Sequence, residues 1–95
     1  MPEEETTVIK LEGKYLGWEA TMLADPPWGY LSEMTSGSYE RISAALISCL
    51  RGWNFRDSRG NPVDATLDGL QLVPRKAVLQ LMNRYGDEYR ALPND

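Results

Sequence analysis

The tripeptide Asp25-Pro26-Pro27 divides this 95-residue chain into two parts with different periodicity. Proline donates no backbone hydrogen bond and restricts the residue before it, so a strand cannot continue through this point. Apolar residues alternate with polar ones before the break, whereas they recur at spacings of three and four after it. Alternation is typical of strands, and the longer spacing is typical of helices. The sequence therefore predicts an α+β fold with strands first and helices second.

Two strands are predicted before the break. A first strand over Thr6 to Leu11 is followed by a turn at Glu12-Gly13, and Tyr15 to Leu23 forms the second strand of an N-terminal β-hairpin. Side chains of a strand point alternately to its two faces. One apolar face of the second strand should therefore consist of Leu16, Trp18, Ala20 and Met22.

About three α-helices are predicted after the break. Trp28 to Met34 forms a short helix, and Tyr39 to Gly52 forms a longer one that Ser38 caps. The last helix runs from Pro74 to about Tyr85, and Gly86 is expected to end it. Apolar residues line one face of each longer helix, so we expect these two helices to pack together, antiparallel or crossed.

A polar turn insert separates the two longer helices. Asn54 to Asp64 is rich in Asp, Ser, Gly, Asn and Pro, which favours an exposed turn. Thr66 then caps a brief helical turn that reaches Leu70. Residues 1–5 are interpreted as an acidic tail and residues 6–92 as one domain, because a chain of this length supplies one hydrophobic core.

The chain lacks histidine and contains a single cysteine. Neither a Ser-His-Asp nor a Cys-His nucleophile can therefore form, and a zinc site would need carboxylates almost exclusively. The glycine spacings do not match a phosphate-binding loop, and the segment from Asp57 to Asn61 lacks the closing glutamate of a calcium loop. Cys49 lies within an apolar helical stripe and is assigned to the core. A non-enzymatic protein without metal or cofactor is expected.

The charge pattern argues against nucleic acid and membrane partners. The net charge is −4, and no dense run of Lys and Arg is present. The N-terminus is acidic, and no stretch approaches the ~20 apolar residues of a membrane span. A single cysteine fits a reducing compartment. An alternative hypothesis, a small enzyme or a nucleic-acid binder, would use basic side chains in the middle of the chain, namely Arg51, Arg56, Arg59, Arg75 and Lys76.

Three tryptophans could serve as core residues or as anchors for a protein partner, because tryptophan is enriched at binding hot spots. Trp18 alternates on a strand and Trp53 ends an apolar stripe, so burial is predicted for both. Trp28 follows the proline pair on a short amphipathic helix, and both roles stay open for it. With Met22 and Met34 nearby in sequence, Trp28 could border an adaptable apolar groove.

The order of several short motifs carries further information. These motifs are Gly17 to Thr21, the Pro26-Pro27 turn, Ser36-Gly37, Trp53-Asn54-Phe55, Asp57, Gly60-Asn61-Pro62, Thr66, Leu70 and Pro74. In this order and spacing, over about residues 8–85, the chain resembles the tail assembly chaperones of long-tailed bacteriophages (siphophages) and of prophages.

The resemblance implies a protein of the host cytoplasm that is absent from the finished virion. Such chaperones coat the long helical tape-measure protein, keep it soluble and help to recruit tail-tube subunits around it. Partner contacts are expected from Met22, Trp28, Leu31, Met34 and Met82 and from the exposed side of the last helix, and self-association is a further expectation. The alternative is a minor structural virion protein, such as a tail or head-tail connector component.

Overall fold

The computed structural model describes residues 4–90, with side chains as far as residue 88. The strands of this part are β1 (Thr6–Lys10), β2 (Glu19–Leu23) and β3 (Leu50–Trp53), and they form one antiparallel sheet in the order β1-β2-β3. The α-helices are α1 (Trp28–Met34), α2 (Tyr39–Cys49), α3 (Leu67–Leu70) and α4 (Arg75–Arg90). The α+β class is confirmed. Residues 1–3 of the predicted tail and 91–92 of the predicted domain lie outside the described residues.

The connection within the hairpin differs from the prediction. A 3₁₀ helix, Gly13–Tyr15, follows β1, and Gly17 then adopts a positive φ of 94°. This left-handed backbone, which favours glycine, redirects the chain before β2 begins. Leu16 is therefore 78% exposed, and its assignment to the core face was wrong. Ala20 and Met22, two residues apart on β2, are buried as predicted.

The helix predicted over Tyr39 to Gly52 ends earlier, at Cys49. Leu50 adopts an extended backbone, and the chain passes directly into β3. β3 pairs antiparallel with β2, and just beyond it the Asn54 N–H donates to the Glu19 carbonyl at 3.2 Å. The outer edge of β2 gains backbone partners in this way, which a longer α2 could not supply. Long-range strand pairing has overridden the helical periodicity.

The polar insert is held at one end by the core. Phe55 is only 1% exposed, although the composition of this segment favours an exposed turn. Farther along, the Asp57 carboxylate accepts hydrogen bonds from the N–H groups of Arg59 and Asn61, both at 2.9 Å. The Asn61 amide, followed by the Arg59 amide, lowers the pKa of the Asp57 carboxyl below its ordinary value. The tip of the insert is a side-chain-stabilised turn, as its composition predicts.

Phe55 joins an aromatic cluster beside the sheet. Its ring stacks on Trp53 with centroids 4.7 Å apart and lies 5.4 Å from the ring of Trp18. Tyr15 extends the cluster with a centroid 5.0 Å from Trp18. Both tryptophans are half-buried, so they are more exposed than predicted. The Trp53 indole N–H donates to the Val63 carbonyl at 2.9 Å, which satisfies its polar atom.

α4 lies across the hairpin. The Tyr85 hydroxyl donates to the Leu23 carbonyl at 2.7 Å, and the Glu12 N–H donates to Oε1 of Gln80. The backbone of α4 lies close to β1. The two long helices also meet through side chains in the core, where Cys49 of α2 forms a hydrogen bond with Tyr85 of α4. α4 also continues through Gly86, which is buried, to Arg90. The predicted end at Gly86 was wrong, because tertiary packing outweighs the ~1 kcal/mol that glycine costs in a helix.

The core forms between the sheet and the helices. Cys49 and Leu46 of α2, with Leu81 and Tyr85 of α4, are at most 1% exposed. The core assignment of Cys49 is confirmed, and burial raises the pKa of its thiol. Ser38 caps α2 by accepting from the Arg41 N–H, and Thr66 caps α3 in the same manner, as predicted.

Candidate partner-binding groove

An open apolar groove of about 270 Å³ runs between α2 and α4. The apolar side chains that α2 and α4 contribute to its lining are Tyr39, Ile42, Leu46, Val78, Leu79 and Met82. Ser43, Gln71 and Arg75 add polar groups. A concave surface with a mainly apolar lining and a few polar groups is a candidate binding site.

Opposite sides of α2 face the groove and α1. Tyr39, Ile42 and Leu46 are three and four residues apart, so they project from the same side of the helix and line the groove. Arg41 and Ala44 project from the other side, where they border a separate depression next to α1. The local sequence of α2 therefore supplies one apolar stripe to the groove and a second surface to α1.

The groove stays open because α4 is attached elsewhere. Tyr85 and Gln80 bind α4 to the hairpin, and the Arg84 guanidinium forms an ion pair with the Glu12 carboxylate. Leu70 and Val73, which precede α4, are buried and form part of the groove lining. The first half of α4 is thus separated from α2 by a gap that no described side chain fills.

Large apolar side chains at the rim remain exposed to solvent. Tyr39 is 85% exposed and Leu79 is 48% exposed. Tyr39 also borders an adjoining depression together with Leu67 and Gln71, so the apolar surface continues toward α3. A partner that covers this surface would remove apolar area from water without first displacing a part of the fold.

The five predicted contact residues do not form one surface. Met22 is fully buried and Met34 is 9% exposed, so both belong to the core and their assignment to a partner surface was wrong for this conformation. Leu31 is half-buried on α1. Trp28 is 80% exposed but does not line the groove. Met82 is half-buried and lines the groove.

Sequence reasoning missed Tyr39 and Ile42 as candidate contacts, and it included Leu79 only as part of the exposed side of the last helix. Ile42 lies in the apolar stripe of α2, which the periodicity alone assigns entirely to packing against the last helix. The sequence did provide an indication for Leu79, because this large apolar residue lies outside the apolar stripe of its own helix. An apolar residue off the core-facing stripe of a helix indicates a second apolar contact.

The basic residues of the alternative hypothesis have separate local roles. Arg51 binds Glu4, and Arg56 donates to the Gly60 carbonyl at 2.8 Å. Arg75 lies at the groove, whereas Arg59 and Lys76 are exposed on the insert and on α4. Two of these five side chains, Arg51 and Arg56, are therefore already bound to groups of this chain.

An ion pair attaches the segment before β1 to β3. The Arg51 Nε and Nη2 atoms each lie 2.7 Å from an oxygen of the Glu4 carboxylate, which is a bidentate geometry. The Glu5 carbonyl also accepts from the Ala24 N–H at 2.9 Å, so residues 4 and 5 are not simply a solvated tail. The hydrogen bonds and the charge of Arg51 lower the pKa of the Glu4 carboxyl below its ordinary value.

Replacing Arg51 with glutamine is expected to return the pKa of Glu4 to its ordinary range. Because the folded state lowers this pKa, the pair stabilises the fold above the ordinary glutamate pKa, and the contribution is lost as pH falls through the lowered value. Carboxyl carbon chemical shifts recorded by NMR against pH would measure the change. Arg41→Gln is the control, because Arg41 lies 3.8 Å from Glu33 in an exposed pair. An unchanged Glu4 titration in Arg51→Gln would contradict the assignment.

The described part of the chain offers neither a metal site nor a membrane span. Among residues 4–90, no group of three or more Cys, Asp and Glu side chains is placed to hold a metal ion. Across the same residues, no helix combines the length and the apolar character needed to cross a membrane.

Comparison with known proteins identified no relative. No protein-family model, no curated protein and no solved structure matches the chain.

Proposed function

We propose that this protein is a non-enzymatic phage tail assembly chaperone that binds amphipathic helical segments of a tape-measure protein in the groove between α2 and α4. The observation that supports the proposal is the open apolar groove itself, with Tyr39 and Leu79 exposed at its rim. A helix that lays its apolar face into a groove is a recurring mode of peptide recognition. The motif order from Gly17 to Pro74 supplies the resemblance to this family.

The size of the groove favours reversible binding. A partner helix gains about 2.5 kcal/mol for every ~100 Å² of apolar surface that it buries, at about 25 cal/mol per Å². Association itself costs an estimated ~4–15 kcal/mol, so the net affinity is modest. A chaperone present in excess can still keep its client bound by mass action, and it must dissociate when tail-tube subunits arrive. Weak, repeated contacts along a long helical client meet both requirements.

The side chains that line the groove also indicate which kind of helix it would bind. Aliphatic side chains and one methionine can adapt to varied apolar partners, because methionine is unbranched and polarizable. Arg75 is the charged side chain that lines the groove, so an acidic residue beside the apolar face of the client would complement it. We therefore expect the preferred segments to be amphipathic helices with acidic flanks. Trp28, exposed on α1, is proposed as a second contact outside the groove.

Replacing Leu79 with glutamate is expected to reduce the soluble, co-eluting fraction of a co-expressed tape-measure protein by about tenfold. A carboxylate at the rim would be desolvated by a bound apolar helix, and this cost weakens the complex. The readout is the soluble fraction of the client, together with the amount that elutes with the chaperone in size-exclusion chromatography. Leu16→Glu is the matched control, because Leu16 is 78% exposed in the hairpin connection and does not line the groove.

Two results would count against the proposal. Wild-type protein that neither solubilises the client nor elutes with it would exclude the chaperone role, and equal effects of the two leucine variants would exclude the groove. Mass spectrometry of purified particles tests the alternative function. Detection of the chain at a structural copy number would favour a minor virion protein.

A further inference from the structure

The outer edge of β1 has backbone groups that no described residue binds. The Ala24 N–H donates to Glu5, and the Leu11 N–H donates to Trp18, so odd-numbered residues of this segment form hydrogen bonds with β2. In an antiparallel pair, the intervening residues direct their N–H and C=O groups to the opposite side. These outward groups belong to Thr6, Val8 and Lys10.

The β1 edge is regular and accessible. Its five-residue pairing with β2 is uninterrupted, whereas the irregularity of the sheet falls between β2 and β3. Val8 is half-exposed, and Thr6 and Lys10 are exposed. An open cleft of about 420 Å³ separates Val8 and Lys10 from the side chains of Arg84, Asp87 and Glu88 on α4. Natural edge strands are commonly protected by proline, bulges, covering elements or charged side chains; over residues 6–10 this edge has neither proline nor bulge, and its one charged side chain is Lys10.

We infer that the β1 edge pairs antiparallel with the β1 edge of a second copy of this chain, which makes a six-stranded sheet across a twofold axis. The charges of Glu4 and Lys10 favour a second copy as the partner, and they favour one register of the antiparallel pairing. Glu4 and Lys10 are each three residues from Thr7, so a twofold axis at Thr7 places Glu4 of each copy opposite Lys10 of the other. An axis at Val8 would instead oppose Glu4 to Glu12, two like charges.

The contacts of Glu4 are compatible with this register. Its side chain is 55% exposed while it binds Arg51, so a second cation can approach its carboxylate. The ammonium of Lys10 from the other copy would complete a cluster of two cations around one carboxylate. Backbone hydrogen bonds from Thr6 and Val8 provide the rest of the contact, as in strand-addition complexes. This inference is independent of the proposed function, because the edge lies outside the groove between α2 and α4.

The expected product is a weak dimer with a Kd on the order of 0.1 mM, because so small a contact is typical of transient association. Sedimentation equilibrium of the full chain measures this Kd. Amide NMR shifts on dilution locate the contact, and the amides of Thr6, Val8 and Lys10 should move more than those of Thr7 and Ile9, which already bind β2. A protein that stays monomeric at about 1 mM, or amide shifts confined to the α2–α4 groove, would overturn the inference.

Charge variants test the register. Lys10→Glu should weaken the dimer about tenfold, because each interface then contains two like-charge pairs. Lys14→Glu, the same charge change at an exposed position in the 3₁₀ helix, should leave the Kd unchanged. Mixing Lys10→Glu with Glu4→Lys should restore association, since both cross-strand pairs become opposite in charge again. Equal effects of the Lys10 and Lys14 variants, or a mixture that fails to associate, would overturn the inference; circular dichroism establishes that each variant is folded.

Discussion

Replacing Phe55 with alanine is expected to lower the free energy of unfolding by about 3–5 kcal/mol. Phe55 is 1% exposed and stacks on Trp53 with an interplanar angle of 8°. Removing the ring would leave a cavity beside Trp53 and Trp18. Small domains have stabilities of about 5–15 kcal/mol, so this one change could unfold a substantial fraction of the molecules at 37 °C.

Urea denaturation followed by far-ultraviolet circular dichroism measures the effect of Phe55→Ala. Circular dichroism is preferable to fluorescence here, because the substitution alters the surroundings of two tryptophans directly. Tyr39→Ala is the control, since Tyr39 is an aromatic residue that is 85% exposed. Its expected change is within about 0.5 kcal/mol. A loss below about 1 kcal/mol for Phe55→Ala would mean that the polar insert is not anchored in the core.

Replacing Gly69 with alanine is expected to destabilise the fold by at least about 2 kcal/mol. A Cβ atom at this position would lie 1.8 Å from the carbonyl oxygen of Asp64, which is backbone and cannot rotate away as a side chain would. The collision would separate α3 from the end of the polar insert. Since Leu70 follows directly in α3 and is buried, the displacement would also disturb the core.

Gly29 offers a matched control for this substitution. It is also a helical glycine, in α1, but a Cβ atom added there would meet no described group within 4 Å outside its own stretch of helix. Gly29→Ala should therefore leave stability unchanged or raise it by up to ~1 kcal/mol, because alanine has the higher helix propensity. Thermal unfolding of both variants would compare them directly. Equal midpoints for the two variants would show that the approach of Asp64 to Gly69 does not constrain the fold.

Local sequence chemistry predicted much of the secondary structure. The proline pair separates the hairpin from the helices, and the caps at Ser38 and Thr66 begin α2 and α3 where predicted. Caps, prolines and periodicity act over a few residues, so they can be interpreted without knowledge of the fold. The end of α2 could not be predicted in this manner. Leu50 and Trp53 continue the helical stripe in sequence, yet they form β3 because β2 lies beside them.

The candidate site was harder to predict from the sequence than the fold. Met82 was predicted as a partner contact and lines the groove, whereas Met22 and Met34 were assigned to a partner surface although both are buried. A methionine in an amphipathic segment has the same sequence pattern whether it faces a core or a partner. The groove itself depends on the distance between two helices, and no residue pattern within either helix encodes that distance.

The sequence by itself determined the α+β class, the division at the proline pair, the helix caps and the lack of histidine-based chemistry. Only the tertiary structure decided that Phe55 is a core residue, that β3 completes the sheet, and that α4 lies on the hairpin and leaves a groove beside α2. The physical reason is the distance along the chain over which the interactions act. The first set depends on interactions between near neighbours in the chain, whereas the second depends on contacts such as Tyr85 to Leu23, whose partners are 62 residues apart.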